Sequence, residues 1–305
     1  MGFYLLSYLC VAVFVLASSY RIYVQMTLPV HVRWELYPVQ HEPAAKTAYG
    51  GSYMEELNWW EKKQERSLVN EMLFMFPEIL FIRGLWKKNR SLWWVSFPFH
   101  FGLYLMFAAF GLMLLHAGFT LWEAAAWRSL LDSFIATAGW SGIILGTIGT
   151  LGLLHRRLTD PELKAYSTAS DYFNLLFILL FFISALVTSL LADPYWDGAK
   201  DYILGLLTGG RSPTSSPSRL GGVTIVSASL LIAYIPLTHM SHMFMKYFLY
   251  HRVEWDDAPN RPGSTIEAAV RENLNLKPTW KARHVEADGE KSWRDIASST
   301  SKEKK

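Results

Sequence analysis

Cysteine is almost absent: Cys10 is the only one in 305 residues. A lone thiol excludes an intramolecular disulfide, a cysteine-held metal cluster and the CxxCH signature of covalent haem attachment. Charge is scarce too. Asp, Glu, Lys and Arg make up 18% of the residues, below the roughly 25% of soluble domains, and they thin out almost completely over several long stretches. The net charge is only +3; the basic residues sit at the edges of those stretches and in the tail, without aromatic interleaving, which argues against nucleic acid as a partner. There is no phosphate-cradling glycine loop, no nucleophile motif and no HExxH zinc signature. Nor is there a repeated half or a pair of broken helices of the kind transporters use.

What the chain does have is apolar length: 51% of residues are hydrophobic and 15% aromatic. Five runs, about 3–25, 97–118, 133–155, 172–192 and 222–250, reach the roughly 20 apolar residues needed to cross a bilayer as helix. The fold class predicted is an all-α membrane protein, a five-helix transmembrane bundle. Its divisions are a first span (1–25), a long insertion (26–96), a four-helix membrane domain (97–250) and a tail (251–305). The first span lacks a basic n-region, and Arg21 and Arg33 follow it, so it reads as a retained anchor rather than a signal peptide. Arg83, Lys87, Lys88 and Arg90, then Arg156 and Arg157, then Lys246 and Arg252 mark three cytoplasmic edges, which puts the N-terminus outside and the insertion and tail in the cytoplasm.

Several local patterns carry further expectations. LVNEMLFMFPEILFI at 68–82 is apolar but too short to span, and it reads either as lying along the membrane interface or as packing on a partner. Gly139, Gly142, Gly146, Gly149 and Gly152 put a groove along the third span. Close helix packing is the favoured reading there and close approach to a flat cofactor the lesser one. Ser170 or Asp171 is the expected N-cap of the fourth span. The stretch TGGRSPTSSPSRLGG reads as a loop, and the tail as irregular or wrapped on a partner, with a disordered end.

Histidines inside the apolar runs are the candidate functional residues, because ionisable groups at bilayer depth are rare and usually functional. His100 lies about six residues inside the start of the second span and His242 about eight residues before the end of the fifth, so on continuous helices both stand roughly 9–12 Å inside one face. Two imidazoles facing each other at one depth would ligate a b-type haem. His239, one turn from His242, competes for the ligand role or serves a propionate or quinone oxygen instead. His116 has no histidine opposite it between 156 and 238, and reads as a satisfied or solvent-facing residue. His155 reads as an interfacial residue, with Arg156 and Arg157 beside it suited to pair with haem propionates. His31, His41, His251 and His284 lie outside the spans and read as ordinary surface or interface residues.

FPFHFG, RRLTDPELKAYSTASDYFNL and IPLTHMSHMFMKYFLYHRVEWDD, within roughly 95–257, resemble the gamma (cytochrome b) subunits of respiratory nitrate reductases and their relatives. Those relatives include the membrane subunits of heterodisulfide reductase, of the sulfite-reduction-associated complex and of transmembrane redox complexes of anaerobes. The last of the three segments is most similar to the heterodisulfide-reductase and sulfite-reduction branch. The resemblance implies five spans, haem b held between the second and fifth, exchange of electrons with menaquinone, and a cytoplasmic iron–sulfur subunit carrying CCG domains. It leaves room for further membrane or periplasmic cytochrome c subunits. Aligned on Pro236, the inner haem's ligands fall on His100 and His242; the outer haem's positions fall on Phe110 and Thr224, which cannot ligate iron, so one haem is expected. The resemblance implies an electron-transfer subunit in a prokaryotic cytoplasmic membrane. The alternative is a haem-free anchor for a redox enzyme.

Overall fold

Apolar runs in hydrocarbon fold as helices because each backbone N–H and C=O must then be satisfied within the chain itself. The computed structural model describes residues 1–27, 42, 45, 48–49, 51–63, 66–123, 125–211, 217–251 and 258–299. His31, Arg33, His41 and Arg252 lie outside the described residues. In chain order the helices are α1 (Gly2–Thr27), α2 (Leu68–Leu80), α3 (Arg83–Lys88), α4 (Arg90–Leu121), α5 (Ala125–Thr159), α6 (Pro161–Ala165), α7 (Ala169–Leu191), α8 (Asp197–Leu207), α9 (Arg219–Tyr234), α10 (His242–Leu249), α11 (Thr265–Asn275) and α12 (Trp293–Ser298). Among the described residues there is no strand, only a bridge between Ala282 and Ala287. α1, α4, α5, α7 and α9 are long and apolar enough to cross a membrane, the last extended by a 3₁₀ turn to Leu237. The protein is an all-α membrane bundle.

Two compact units divide the chain: Met1–Ser19 with Met75–Ser241, and Tyr20–Phe74 with His242–Lys305. In the first, α4 and α5 form the most extensive pair, α5 packs on α7, and α7 on α9. The glycine groove explains the closeness of that pair. A Cβ on Gly102 would overlap the backbone of Gly146, and one on Gly149 the backbone of Phe99. Both helices therefore approach at backbone distance, as small residues permit in membranes, and the ring of Phe182 from α7 fills the space over Gly146. The glycines serve packing, as the favoured reading held. Phe182, Ile135 and Ile143 are fully buried in this core. Hydroxyl pairs join α7 to α9, Ser184 to Ser227 at 3.0 Å and Thr188 to Thr224 at 2.8 Å. α1 docks through Ser7, whose Oγ meets Tyr202 at 2.8 Å and Ser229 at 2.7 Å.

In the second unit Glu42 is fully buried, accepting hydrogen bonds from Ser52 Oγ and the Tyr53 N–H, both at 2.9 Å. His251 pairs with Glu71 at 2.6 Å, and Tyr250 meets Phe74 edge-on. The tail holds more order than its composition predicts. Ser264 caps α11 and Ser292 forms a capping box with Asp295 on α12, so two short helices stand where irregular chain is expected. α12 reaches Ser298, inside the stretch read as disordered.

Two further differences from the sequence reading bear on the site. The N-cap of α7 is Thr168, not Ser170 or Asp171; Asp171 is the third helical residue, and its carboxylate accepts from the Thr168 N–H at 2.8 Å. The fifth span is not one helix over 222–250. α9 stops at Tyr234, a 3₁₀ turn covers Ile235–Leu237, Thr238 is extended (φ −120°, ψ 179°), and a second 3₁₀ turn covers His239–Ser241 before α10 begins at His242. Pro236 has no N–H to continue the ladder and its ring crowds the preceding turn. Local bonds then hold the break: the Thr238 hydroxyl accepts from the Met240 N–H at 3.2 Å, and Ser241 Oγ donates to the Thr238 carbonyl at 3.0 Å.

Candidate functional site

α4 begins at Arg90, capped by Asn89, whose Oδ1 accepts the Leu92 N–H at 3.0 Å. His100 therefore lies about 15 Å along this helix from its start. The neighbouring residue, Phe99, presses its backbone against Gly149 of α5, so His100 is turned about 100° from that contact. The Phe99 ring meets the His100 ring edge-on at 5.0 Å. Beside them, the rings of Trp93, Phe97 and Phe101 stack in sequence.

His100 is only half-buried, yet its ring is fixed. Its Nδ1 lies 2.7 Å from the carbonyl oxygen of Ser96, and a carbonyl can only accept, so Nδ1 carries the proton and Nε2 is the basic nitrogen. Axial histidines commonly have this arrangement: a backbone acceptor fixes the tautomer, orients the ring and makes the opposite nitrogen a better ligand. On this observation His100 fits a haem ligand.

Arg156 and Arg157 close the same end of α5. Arg156 donates to Ser91 Oγ at 3.0 Å, linking α5 to the start of α4, and to Asp160 Oδ2 at 2.9 Å. That guanidinium, with the backbone N–H groups of Leu163 and Glu162, holds the Asp160 carboxyl below the usual carboxylate range. Arg157 donates to Ser167 Oγ at 2.7 Å and lies 3.9 Å from Asp171. Asp171 in turn stands 3.5 Å from His239 Nε2, which is 3.4 Å from Asn174 Nδ2. Tyr234 donates to Asn174 Oδ1 at 2.8 Å. The structure thus gathers Arg157, Asp171, Asn174, Tyr234 and His239 into one polar group, and sequence reasoning found only Arg157 and His239. Asn174 is a buried polar residue on the apolar α7, and that is the signal that was available.

His242 is exposed and opens α10, in the other unit from His100. The break at Pro236 removes the continuous helix on which its depth was reckoned. His155 is exposed near the end of α5. His116, near the far end of α4, aims Nε2 at Asp132 (3.4 Å), which also holds the buried Lys200 at 2.5 Å; Lys200 reaches Asp197 at 2.9 Å. His116 is thus partly buried beside a charged group.

Five helices long and apolar enough to cross a membrane define a class, the integral membrane proteins. The comparison with known families is narrower. The nitrate reductase gamma subunit family matches residues 85–256, more than half of the chain, and the protein belongs to that family. Its members are membrane cytochrome b subunits of multi-subunit respiratory redox complexes, which bind haem b and work with quinone. No curated protein and no solved structure matches the chain.

Proposed function

We propose that the protein carries electrons between menaquinone and a cytoplasmic iron–sulfur subunit through a single haem b, with His100 as one ligand and, on the family resemblance alone, His242 as the other. The observation that supports this most directly is the Ser96 carbonyl on Nδ1 of His100, which makes Nε2 the basic nitrogen, the one suited to bind iron. When bound, haem b supplies a one-electron carrier, which suits a chain standing between a two-electron quinone and one-electron iron–sulfur centres. Phe110 and Thr224 fill the two positions where an outer haem would need histidine, and Thr224 is already engaged by Thr188 at 2.8 Å.

The remaining roles fall to Arg156, Arg157 and His239. Arg156 and Arg157 hold propionates, exchanging part of their present bonding to Asp160, Ser91 and Ser167 for it. His239, oriented by Asp171 and Asn174, donates to or accepts from a quinone oxygen. The insertion and the tail, both on the cytoplasmic side, receive the iron–sulfur subunit, in a prokaryotic cytoplasmic membrane with the N-terminus outside.

Purified protein treated with alkaline pyridine and dithionite is expected to yield one haem b per chain. Two per chain would overturn the single-haem assignment, and none in a folded, monodisperse preparation would leave only a membrane anchor.

A further inference from the structure

We infer that α2 is an interfacial helix that lies in the boundary between the headgroups and acyl chains of an anionic bilayer. Its thirteen residues divide sharply around the axis. Leu68, Val69, Met72, Leu73, Phe76 and Ile79 are all exposed, the first five by 63–71%. At 100° per residue these six side chains cover one unbroken arc of about 140° with no polar residue in it. The opposite side holds the polar residues and their partners. Asn70 donates to the Glu42 carbonyl at 3.2 Å, Glu71 pairs with His251 at 2.6 Å, and Glu78 accepts the Gly84 N–H at 2.8 Å. The helix is therefore fastened by its polar side and turns its apolar side outward, the reverse of a helix docked on a protein core.

The C-terminal end of α2 indicates which surroundings that arc meets. The Ile79 carbonyl accepts from the Tyr104 hydroxyl at 3.0 Å and the Phe81 carbonyl from Trp93 Nε1 at 2.7 Å. Both donors belong to α4, a membrane-crossing helix, so the end of α2 is tied to the rim of a span. Trp86, Trp93 and Trp94 cluster there, with ring centroids 4.7–6.3 Å apart, and indole rings concentrate at the membrane–water boundary. Arg83, Lys87 and Lys88, all exposed, follow immediately. An apolar arc without acidic groups, followed by an aromatic belt and a basic cluster, matches the apolar-below, anionic-above order of a bilayer surface.

The sole cysteine makes the test simple. In a Cys10→Ser background, nitroxide labels are placed singly through Val69→Cys, Leu73→Cys and Phe76→Cys, with Glu290→Cys on the polar tail as reference. The full-length protein is studied in nanodiscs containing phosphatidylglycerol. All three arc positions project outward, so the labels displace no core contact. The oxygen-to-nickel collision ratio at the arc sites is expected to exceed that at Glu290→Cys by at least about threefold, with depths of roughly 5–10 Å below the phosphates. Nickel access equal to the reference would place the arc in water and overturn the inference. Protection from both reagents would place it under protein, and would overturn it equally.

Discussion

The two ends of α4 carry histidines of the same type in opposite chemical positions. Near the start, His100 gives its Nδ1 proton to a main-chain carbonyl four residues back, which defines Nε2 as its basic nitrogen. Near the far end, His116 turns Nε2 itself toward Asp132, inside a cluster that also holds Lys200 and Asp197. On the proposed function, the difference separates a ring whose Nδ1 is held by the main chain from one whose Nε2 faces a carboxylate. It also fixes the largest expected effect. His100→Ala is expected to remove the haem b absorbance band of the reduced protein, while His116→Ala keeps it at full intensity, both variants inserting normally. Equal haem content in the two variants would erase the distinction.

Between those ends, α4 and α5 touch at backbone distance, and the packing there is what holds His100 at its angle. Gly146→Leu would drive a side chain into the Phe182 ring of α7, whose Cζ overlaps the place where the new Cβ would stand. Overpacking a dense core costs about 1–3 kcal/mol, and the upper value is expected because the obstructing Phe182 ring is itself fully buried. Thermal unfolding in detergent, followed by intrinsic fluorescence, measures it. The same substitution at Gly111, where a Cβ would meet nothing within 4 Å, is expected to be nearly neutral.

The five spans were legible because hydrocarbon leaves the backbone only one economical conformation, and residues such as Gly146 and Gly149 announced close helix packing by their spacing. His100 stood out as a candidate because a polar ring in an apolar run is rare. What sequence could not supply was the consequence of Pro236. A run of apolar residues from 222 to 250 satisfies the hydropathy criterion with or without a break, and only the missing N–H, followed by the Thr238 and Ser241 side chains bonding locally, decides that the helix stops at Tyr234. The Asp171–His239–Asn174–Tyr234 group escaped for a related reason. Its members come from two short stretches, Asp171 with Asn174 and Tyr234 with His239, whose mutual contacts span 60 or more positions, and no periodicity brings α7 and the end of α9 together on paper.

The far-end cluster can be sharpened by titration. Burial alone would pull the Lys200 ammonium down, but its hydrogen bonds to Asp132 and Asp197, with their charges, outweigh that and raise it above the ordinary lysine value. A raised cation stabilises the fold throughout the range below the unfolded value of about 10.4, and that stabilisation is lost as pH climbs through the raised folded value. Lys200→Met is therefore expected to cost about 1 kcal/mol at neutral pH, a small figure because both carboxylates are substantially solvated. The variant should also lack the alkaline decline seen in the parent. Thermal midpoints between pH 7 and 11 for the two proteins check both parts, and parallel curves would remove Lys200 from the account.

The smallest effect expected is the most specific to His100. Ser96 stands near His100 in two ways: its carbonyl at 2.7 Å and its hydroxyl at 3.4 Å from Nδ1. Only the first is short enough to fix the tautomer, since hydrogen bonds weaken quickly beyond about 3.2 Å. Ser96→Ala deletes the hydroxyl and leaves the carbonyl, so haem content should match the parent and the reduced spectrum should keep its position. If haem were lost in this variant, the hydroxyl rather than the main chain would be orienting the ring, and the contrast between the two histidines would rest on a side chain instead of on the helix backbone.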